Sequence, residues 1–299
     1  MRKLESAPIV PTLFIPSDTE GVYARTEAFE RVVEALSDFI TRYREPNTEV
    51  LRFPPVMSRR QLEISGYLQS FPHLTGVVSC IQGNESDILN MVQTPEWVSS
   101  LAATELVLTP AACYPLYPIV ASRGSVPEDG LLVDVASYCF RREPGQQFDR
   151  LQAFRMREYV CVGTVEQVLD FRDRWKSRGK SMAELLGLPC EIAPASDPFF
   201  GRAGRIVALT QIEQSLKFEL LIPMQSSENR VACMSFNYHR DHFGTTWDLR
   251  TAGGETAHTC CVAFGMERLA MALFAVHGND VRNWPALTRD TLTAYRPIL

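Results

Sequence analysis

The chain has no run of about 18 apolar residues, so no membrane-spanning helix is expected. Its N-terminus, Met1 to Thr19, lacks an apolar signal core, because the Pro8–Ile15 stretch is short and interrupted by proline. A soluble, cytoplasmic protein is expected. Basic charge is also in short supply, with 30 Lys and Arg against 35 Asp and Glu and a net charge of −5. A protein that follows a long nucleic-acid backbone usually carries the opposite balance, since each phosphate contact needs a cation. Histidine is scarce, at five residues with no HxxxH pair, and none is needed as a metal ligand. Eight cysteines are spread thinly with no CxxC, which argues against a zinc ribbon or a disulfide scaffold. By default such thiols are small buried hydrophobes in a reducing compartment. Repeats, low-complexity tracts and linker-like segments are missing too, so 1–299 is expected to form one domain.

What is present has ordinary globular proportions, 45% hydrophobic and 22% charged. Between Val22 and Arg44, apolar Phe29, Val32, Val33, Leu36, Phe39 and Ile40 fall at helical spacing, and Glu45-Pro46-Asn47 stops the helix. Leu51–Val56 reads as a strand running into prolines, 61–69 as one or two helical turns, and Gly76–Ile81 as a strand. Leu131–Phe140 and Leu151–Val162 have strand composition and flank a Glu143-Pro144-Gly145 turn, which together suggests a hairpin. A basic helix is expected over 165–186, further strands at Phe218–Pro223 and Val231–Asn237, and a last helix from Phe264 to Val276 opened by Gly265. Helices at both ends with strands in runs predict an α+β fold, a mostly antiparallel sheet flanked by helices.

Two constellations carry possible chemistry. Phe140-Arg141-Arg142-Glu143, a short loop, and then Arg150 and Phe154 put arginines, a carboxylate and an aromatic ring on one hairpin. Alternation lets Arg141 and Glu143 share a side. A guanidinium fork suits a phosphate, although a solvated, ion-paired hairpin would carry the same residues. The second is Phe264-Gly265-Met266-Glu267-Arg268, which heads an apolar helix. A charge there needs a partner, either an anionic ligand or a structural carboxylate.

In order and spacing these two segments resemble motifs 2 and 3 of class II aminoacyl-tRNA synthetases, and Leu51–Val56 resembles motif 1, which lies at a dimer interface in that family. Leu216–Pro223, Ser235–Gly244, Ser196–Gly201 and His258–Cys261 bring the chain closer to the bacterial amino acid:[carrier protein] ligases, relatives of the atypical seryl-tRNA synthetases of methanogens. The resemblance covers about residues 20 to 290. It implies activation of glycine or alanine by ATP and transfer to the phosphopantetheine thiol of a carrier protein. Carried over by residue, it implies that Arg141 holds the α-phosphate, Arg268 the γ-phosphate, and that Phe154 stacks on adenine while Glu143 contacts its amino group. Arg150 falls in the same nucleotide set. Glu219 becomes a Mg²⁺-side carboxylate and Asn237 lines the nucleotide or amino-acid end.

The same resemblance implies a catalytic Zn²⁺ held by Cys113, Glu158 and Cys261, with an open position for the substrate amine; Cys260 is the expected bystander. His239 and His242 remain possible polar contacts. The basic run Arg172–Lys180 is a candidate docking face for an acidic carrier protein, with a solvated face as the alternative. A homodimer is expected. Transfer-RNA charging ranks behind, because the acidic balance gives no sign of a long RNA groove. A non-catalytic paralogue is disfavoured by the joint presence of Arg141, Glu143, Phe154, Arg268 and the three metal ligands.

Overall fold

The structure, a computed structural model, describes residues 13–95, 97–143, 148–224 and 229–294. Pro144 and Gly145 of the expected turn, and most of the Pro8–Ile15 run, lie outside those residues. The strands, in chain order, are β1 (Phe14–Pro16), β2 (Tyr23–Arg25), β3 (Glu49–Arg52), β4 (Val56–Ser58), β5 (Val77–Ile81), β6 (Leu101–Leu108), β7 (Leu131–Phe140), β8 (Ala153–Gly163), β9 (Glu191–Pro194), β10 (Lys217–Pro223), β11 (Arg230–Arg240) and β12 (His258–Gly265).

Among the described residues a seven-stranded sheet runs in the order β3-β7-β8-β12-β11-β10-β9. Every pairing in it is antiparallel except β3 with β7. A three-stranded sheet, β4-β6-β5, and the β1-β2 ribbon stand apart from it. Because side chains alternate along a strand, this sheet has two different faces. One face packs beneath the helices Glu27–Thr41, Val165–Leu185 and Met266–His277, whose apolar stripes meet Phe236, Cys260, Val262 and Phe264 in the larger core. The other face carries Phe154, Met156, Glu158, Cys261 and Asn237, and only one end of it is roofed, by Leu116, Tyr117 and Phe243.

The helices form where the sequence supports them locally. Glu27–Thr41 buries Phe29, Val32, Val33, Leu36, Phe39 and Ile40, the stripe expected from spacing, and carries Glu27 and Glu30 in its first turn. Val165–Leu185 opens with a capping box in which Thr164 and Gln167 satisfy each other's backbone. Gly179 inside it allows close approach to the sheet, since a Cβ there would sit 2.8 Å from the Phe236 ring.

Buried ion pairs tie helices to strands. Asp134 on β7 is fully buried and accepts from Arg157 on β8 and Arg52 on β3; Arg157 also donates to the Ser37 carbonyl at 2.7 Å. Glu267 accepts from the Arg155 backbone N–H at 2.7 Å and from Arg155 Nε at 2.8 Å, and Arg155 reaches on to Glu30. Such pairs contribute more to register than to net stability, because desolvation offsets most of their attraction.

Several bounds differ from expectation. The first helix begins at Glu27 rather than Val22, because Tyr23–Arg25 pairs with Phe14–Pro16. The last helix begins at Met266, since Phe264 and Gly265 still belong to β12. Strands β6, β9 and β12 and the helices Glu85–Met91, Leu116–Ala121, Gly201–Glu213 and Ala286–Thr293 carried too little periodic signal to be read in advance. Among the described residues, no helix is long and apolar enough to cross a membrane.

Candidate active site

The open face of the large sheet forms the floor of a cavity of about 500 Å³. Strand β8 delivers Phe154, Met156 and Glu158 to it, while the intervening Arg155 and Arg157 go to the helix side. Across the neighbouring strands, the pairings Ala263↔Glu158 and Asn237↔Cys261 bring polar groups from three strands, β8, β12 and β11, to one surface.

Arg141 and Arg268 line this one cavity. Arg141 Nε donates to the Pro110 carbonyl at 3.0 Å and its guanidinium lies 5.7 Å from the Phe154 ring centroid. Arg268 donates to the carbonyls of Asp149 at 3.3 Å and Ala232 at 3.2 Å. Neither arginine forms a salt bridge among the described residues, so both keep their charge for an anion. Glu143 and Arg150 are paired with each other at 2.9 Å, at the end where Phe154 stands. Glu219 faces the same space but is paired with Lys217 at 3.1 Å.

At the floor, the sulfurs of Cys113 and Cys261 and a carboxylate oxygen of Glu158 lie within 4.8 Å of one another, all buried. Two thiols and a carboxylate match the donor chemistry of zinc, whose bonds of about 2.0–2.3 Å place ligand atoms within this spacing. Burial raises the Glu158 carboxyl above its ordinary range, although contacts from both cysteines pull it back. The contact with Cys113, then burial, raises the Cys261 thiol well above its own. Three acids crowded in a dry site favour replacing their protons with one cation. The outer contacts hold the set in place. The Cys113 backbone N–H donates to Glu158 at 2.9 Å, and Asn237 Nδ2 donates to Cys261 Sγ at 3.3 Å. His239 Nε2 is 3.6 Å from that sulfur while its Nδ1 bonds Thr259 Oγ1 at 3.0 Å. Burial lowers His239 to about 4, so it is a neutral neighbour.

No protein-family model matches the chain. It is 57% identical over 284 residues to amino acid–[acyl-carrier-protein] ligase 1 of Bradyrhizobium diazoefficiens, covering 94% of this chain and 87% of that one. Ligase 2 of the same organism is 56% identical over 288 residues, covering 95% and 86%. The chain belongs to the amino acid–[acyl-carrier-protein] ligase family. Its fold is that of the class II aminoacyl-tRNA synthetases. Methanopyrus kandleri seryl-tRNA synthetase, solved with the Aquifex aeolicus tRNASec, superposes with a TM-score of 0.80 at 21% identity, over 94% of this chain and 58% of that one.

In this ligase-family chain the sequence-derived residues line the one cavity except Arg150, which is off its wall and reaches it only through its pair with Glu143. Of the two places expected for Asn237, the nucleotide end or the amino-acid end, its contact with the Cys261 sulfur puts it at the metal-type cluster, on the amino-acid side. Cys260 is a bystander because it points to the helix face, one strand residue out of phase with Cys261. His242 Nε2 contacts the Ser65 carbonyl at 3.1 Å, at the cavity rim. Three lining residues went unread: Lys217, buried between Asp197 (2.6 Å) and Glu219, and Tyr67 and Tyr114, whose edge-to-face rings are 5.3 Å apart. Nothing in the spacing of Tyr67 or Tyr114 marks them; Lys217, two residues before Glu219 on one strand, shares its face and was legible in principle.

The basic run on helix Val165–Leu185 is not a free patch. Arg174 and Arg178 both pair with Glu45. Arg172 stacks over Phe218 at 5.5 Å, and Lys176 sits 3.9 Å from the same ring. These four side chains clamp the helix to the sheet and its flanking loop, while Lys180 at the end of the run is exposed.

Proposed function

We propose that this ligase activates a small amino acid, glycine or alanine, with ATP, and passes the aminoacyl group to the phosphopantetheine thiol of a carrier protein. The observation that carries this reading is the meeting of Arg141, Arg268 and the Cys113–Glu158–Cys261 cluster on one cavity. A carboxylate oxygen of the amino acid attacks the α-phosphorus and pyrophosphate leaves. The thiol sulfur then attacks the adenylate carbonyl, its proton is lost, and AMP leaves. Arg141 steadies charge at the α-phosphate and Arg268 at the γ-phosphate, both as preorganised donors already oriented by backbone carbonyls. Phe154 provides a stacking surface for adenine, with Glu143 and Arg150 at its edge.

Cys113, Glu158 and Cys261 would hold Zn²⁺, which when bound offers an open coordination position to the substrate's α-amino group. Glu219, now paired with Lys217, would be the carboxylate that holds the Mg²⁺ accompanying ATP. A single catalytic domain and a homodimer complete the reading. Strand β3 lies at an edge of the large sheet, and the excursion 77–106 buries no described side chain while exposing Val77, Leu89, Val92, Trp97, Val98 and Leu106. A surface of that composition calls for a second copy.

The test is ATP–pyrophosphate exchange with glycine, alanine and serine, followed by transfer to a phosphopantetheinylated carrier or to tRNA. Exchange with none of the three would remove the activation step. Transfer to tRNA alone would replace the acceptor.

A further inference from the structure

Tyr67 sits on the cavity wall with only 5% of its surface exposed. Its ring is fixed between Phe71 (centroids 5.0 Å apart) and the edge-on ring of Tyr114. The chain is turned into this position by Gly66, whose φ of +76° is a conformation other residues rarely adopt. Despite this packing, the Tyr67 hydroxyl is buried and has no hydrogen-bond partner among the described residues. A phenylalanine would fill the same space without stranding a donor, so the hydroxyl is a cost to the fold unless something outside the protein meets it.

The surroundings define what that is. Charges from Arg141, Glu143 and Asp197 all reach the phenol. The two carboxylates are engaged elsewhere, Glu143 by Arg150 and Asp197 by Lys217 and Gln211. Burial pushes the phenol up to about 12, so it is a neutral donor across the physiological range. A neutral O–H on the same wall as an unpaired guanidinium forms a pair of donors suited to adjacent oxygens of one anionic group.

We propose that the Tyr67 hydroxyl is a substrate-binding group that donates to an acyl or phosphoryl oxygen of the aminoacyl-adenylate, beside Arg141. This deepens, and rests on, the adenylating reading above. Either acceptor is an oxygen that adenosine lacks, so the contact is absent with the bare nucleoside.

Tyr67→Phe tests it, with the wild-type chain alongside. In the variant, kcat/KM for ATP–pyrophosphate exchange should fall about 10- to 100-fold, the loss of one hydrogen bond to a charged group. Affinity for a non-reactive aminoacyl-sulfamoyl adenosine should weaken by a similar factor, whereas affinity for adenosine should stay within twofold. The melting temperature of the ligand-free variant should equal or exceed that of wild type, because an unpaired hydroxyl has been removed. Exchange and analogue binding within twofold of wild type would overturn the inference. So would an equal loss for adenosine with a lowered melting temperature, which marks structural damage. A wild-type chain that neither exchanges pyrophosphate nor binds the analogue would sink the adenylating reading and the inference with it.

Discussion

Asn237 Nδ2 donates a hydrogen bond to Cys261 Sγ at 3.3 Å, from the adjacent strand and at the directly paired position. The amide stabilises negative charge on sulfur and fixes the direction of its lone pairs. Outer contacts of this kind change metal affinity by about 10- to 100-fold. Asn237→Ala should therefore lose zinc to a chelator at correspondingly lower concentration, as read by competition titration, while Cys113 and Glu158 remain in place.

The two adjacent cysteines should behave as opposites. Purified protein should contain about one zinc per chain, and Cys261→Ala should contain almost none. Cys260→Ala, on the helix face, should keep its zinc and show instead a packing cost of about 1 kcal/mol in chemical denaturation. Metal analysis of the pair decides between the two faces of β12.

Arg268 is held by carbonyls and forms no salt bridge with a carboxylate among the described residues. Arg268→Ala should retain the far-ultraviolet spectrum of wild type, since no buried partner is orphaned. Pyrophosphate exchange should drop on the order of 10²- to 10³-fold, the usual effect of removing a preorganised donor from a charged transition state. A smaller loss than tenfold would place the triphosphate elsewhere.

Its neighbour Glu267 should respond in the reverse manner. The carboxylate is 1% exposed and pairs with Arg155 and Arg25. Glu267→Ala leaves those guanidinium groups with one buried anion fewer and should destabilise the fold by about 3–5 kcal/mol, measured by urea unfolding.

The Lys217–Asp197 pair predicts a flat pH response. Burial alone would raise the Asp197 carboxyl, but Lys217 overrides it and holds it below 3.8. Burial likewise opposes the Lys217 charge, but Asp197 and Glu219 keep it above 10.5. The depressed carboxyl contributes stability above its unfolded value and loses it as pH falls through the folded one. The raised ammonium contributes below its unfolded value and loses it as pH rises through the folded one. Between 3.8 and 10.5 both contributions are present. The melting-temperature gap between wild type and Asp197→Asn should be constant from about pH 5 to 9 and narrow only outside it.

Sequence alone located what depends on short-range pattern. The strand composition of Leu131–Phe140 matched β7 to the residue, and the stripe from Phe29 to Ile40 located the first helix, though it starts five residues later than expected. That Arg141, Phe154 and Arg268 share one cavity was legible through the family resemblance, whose motifs bind residue type to spacing. The site was not legible where function arises from distant chain segments packing together. Tyr67 stands out only in three dimensions, where its buried hydroxyl meets no partner among the described residues. The basic residues of helix Val165–Leu185 looked like a surface because a sequence does not reveal that Glu45 lies across from them.

The alternation along β8 has a consequence for how this enzyme can vary. Phe154, Glu158 and their cavity neighbours are interleaved, residue by residue, with Arg155 and Arg157, which brace the helical layer. Deleting one residue from this strand would send guanidinium groups into the catalytic chamber and the metal-type carboxylate into oil. A single replacement at every second position of β8 reaches the cavity without touching the helical layer, whereas a change in strand length exchanges the two faces.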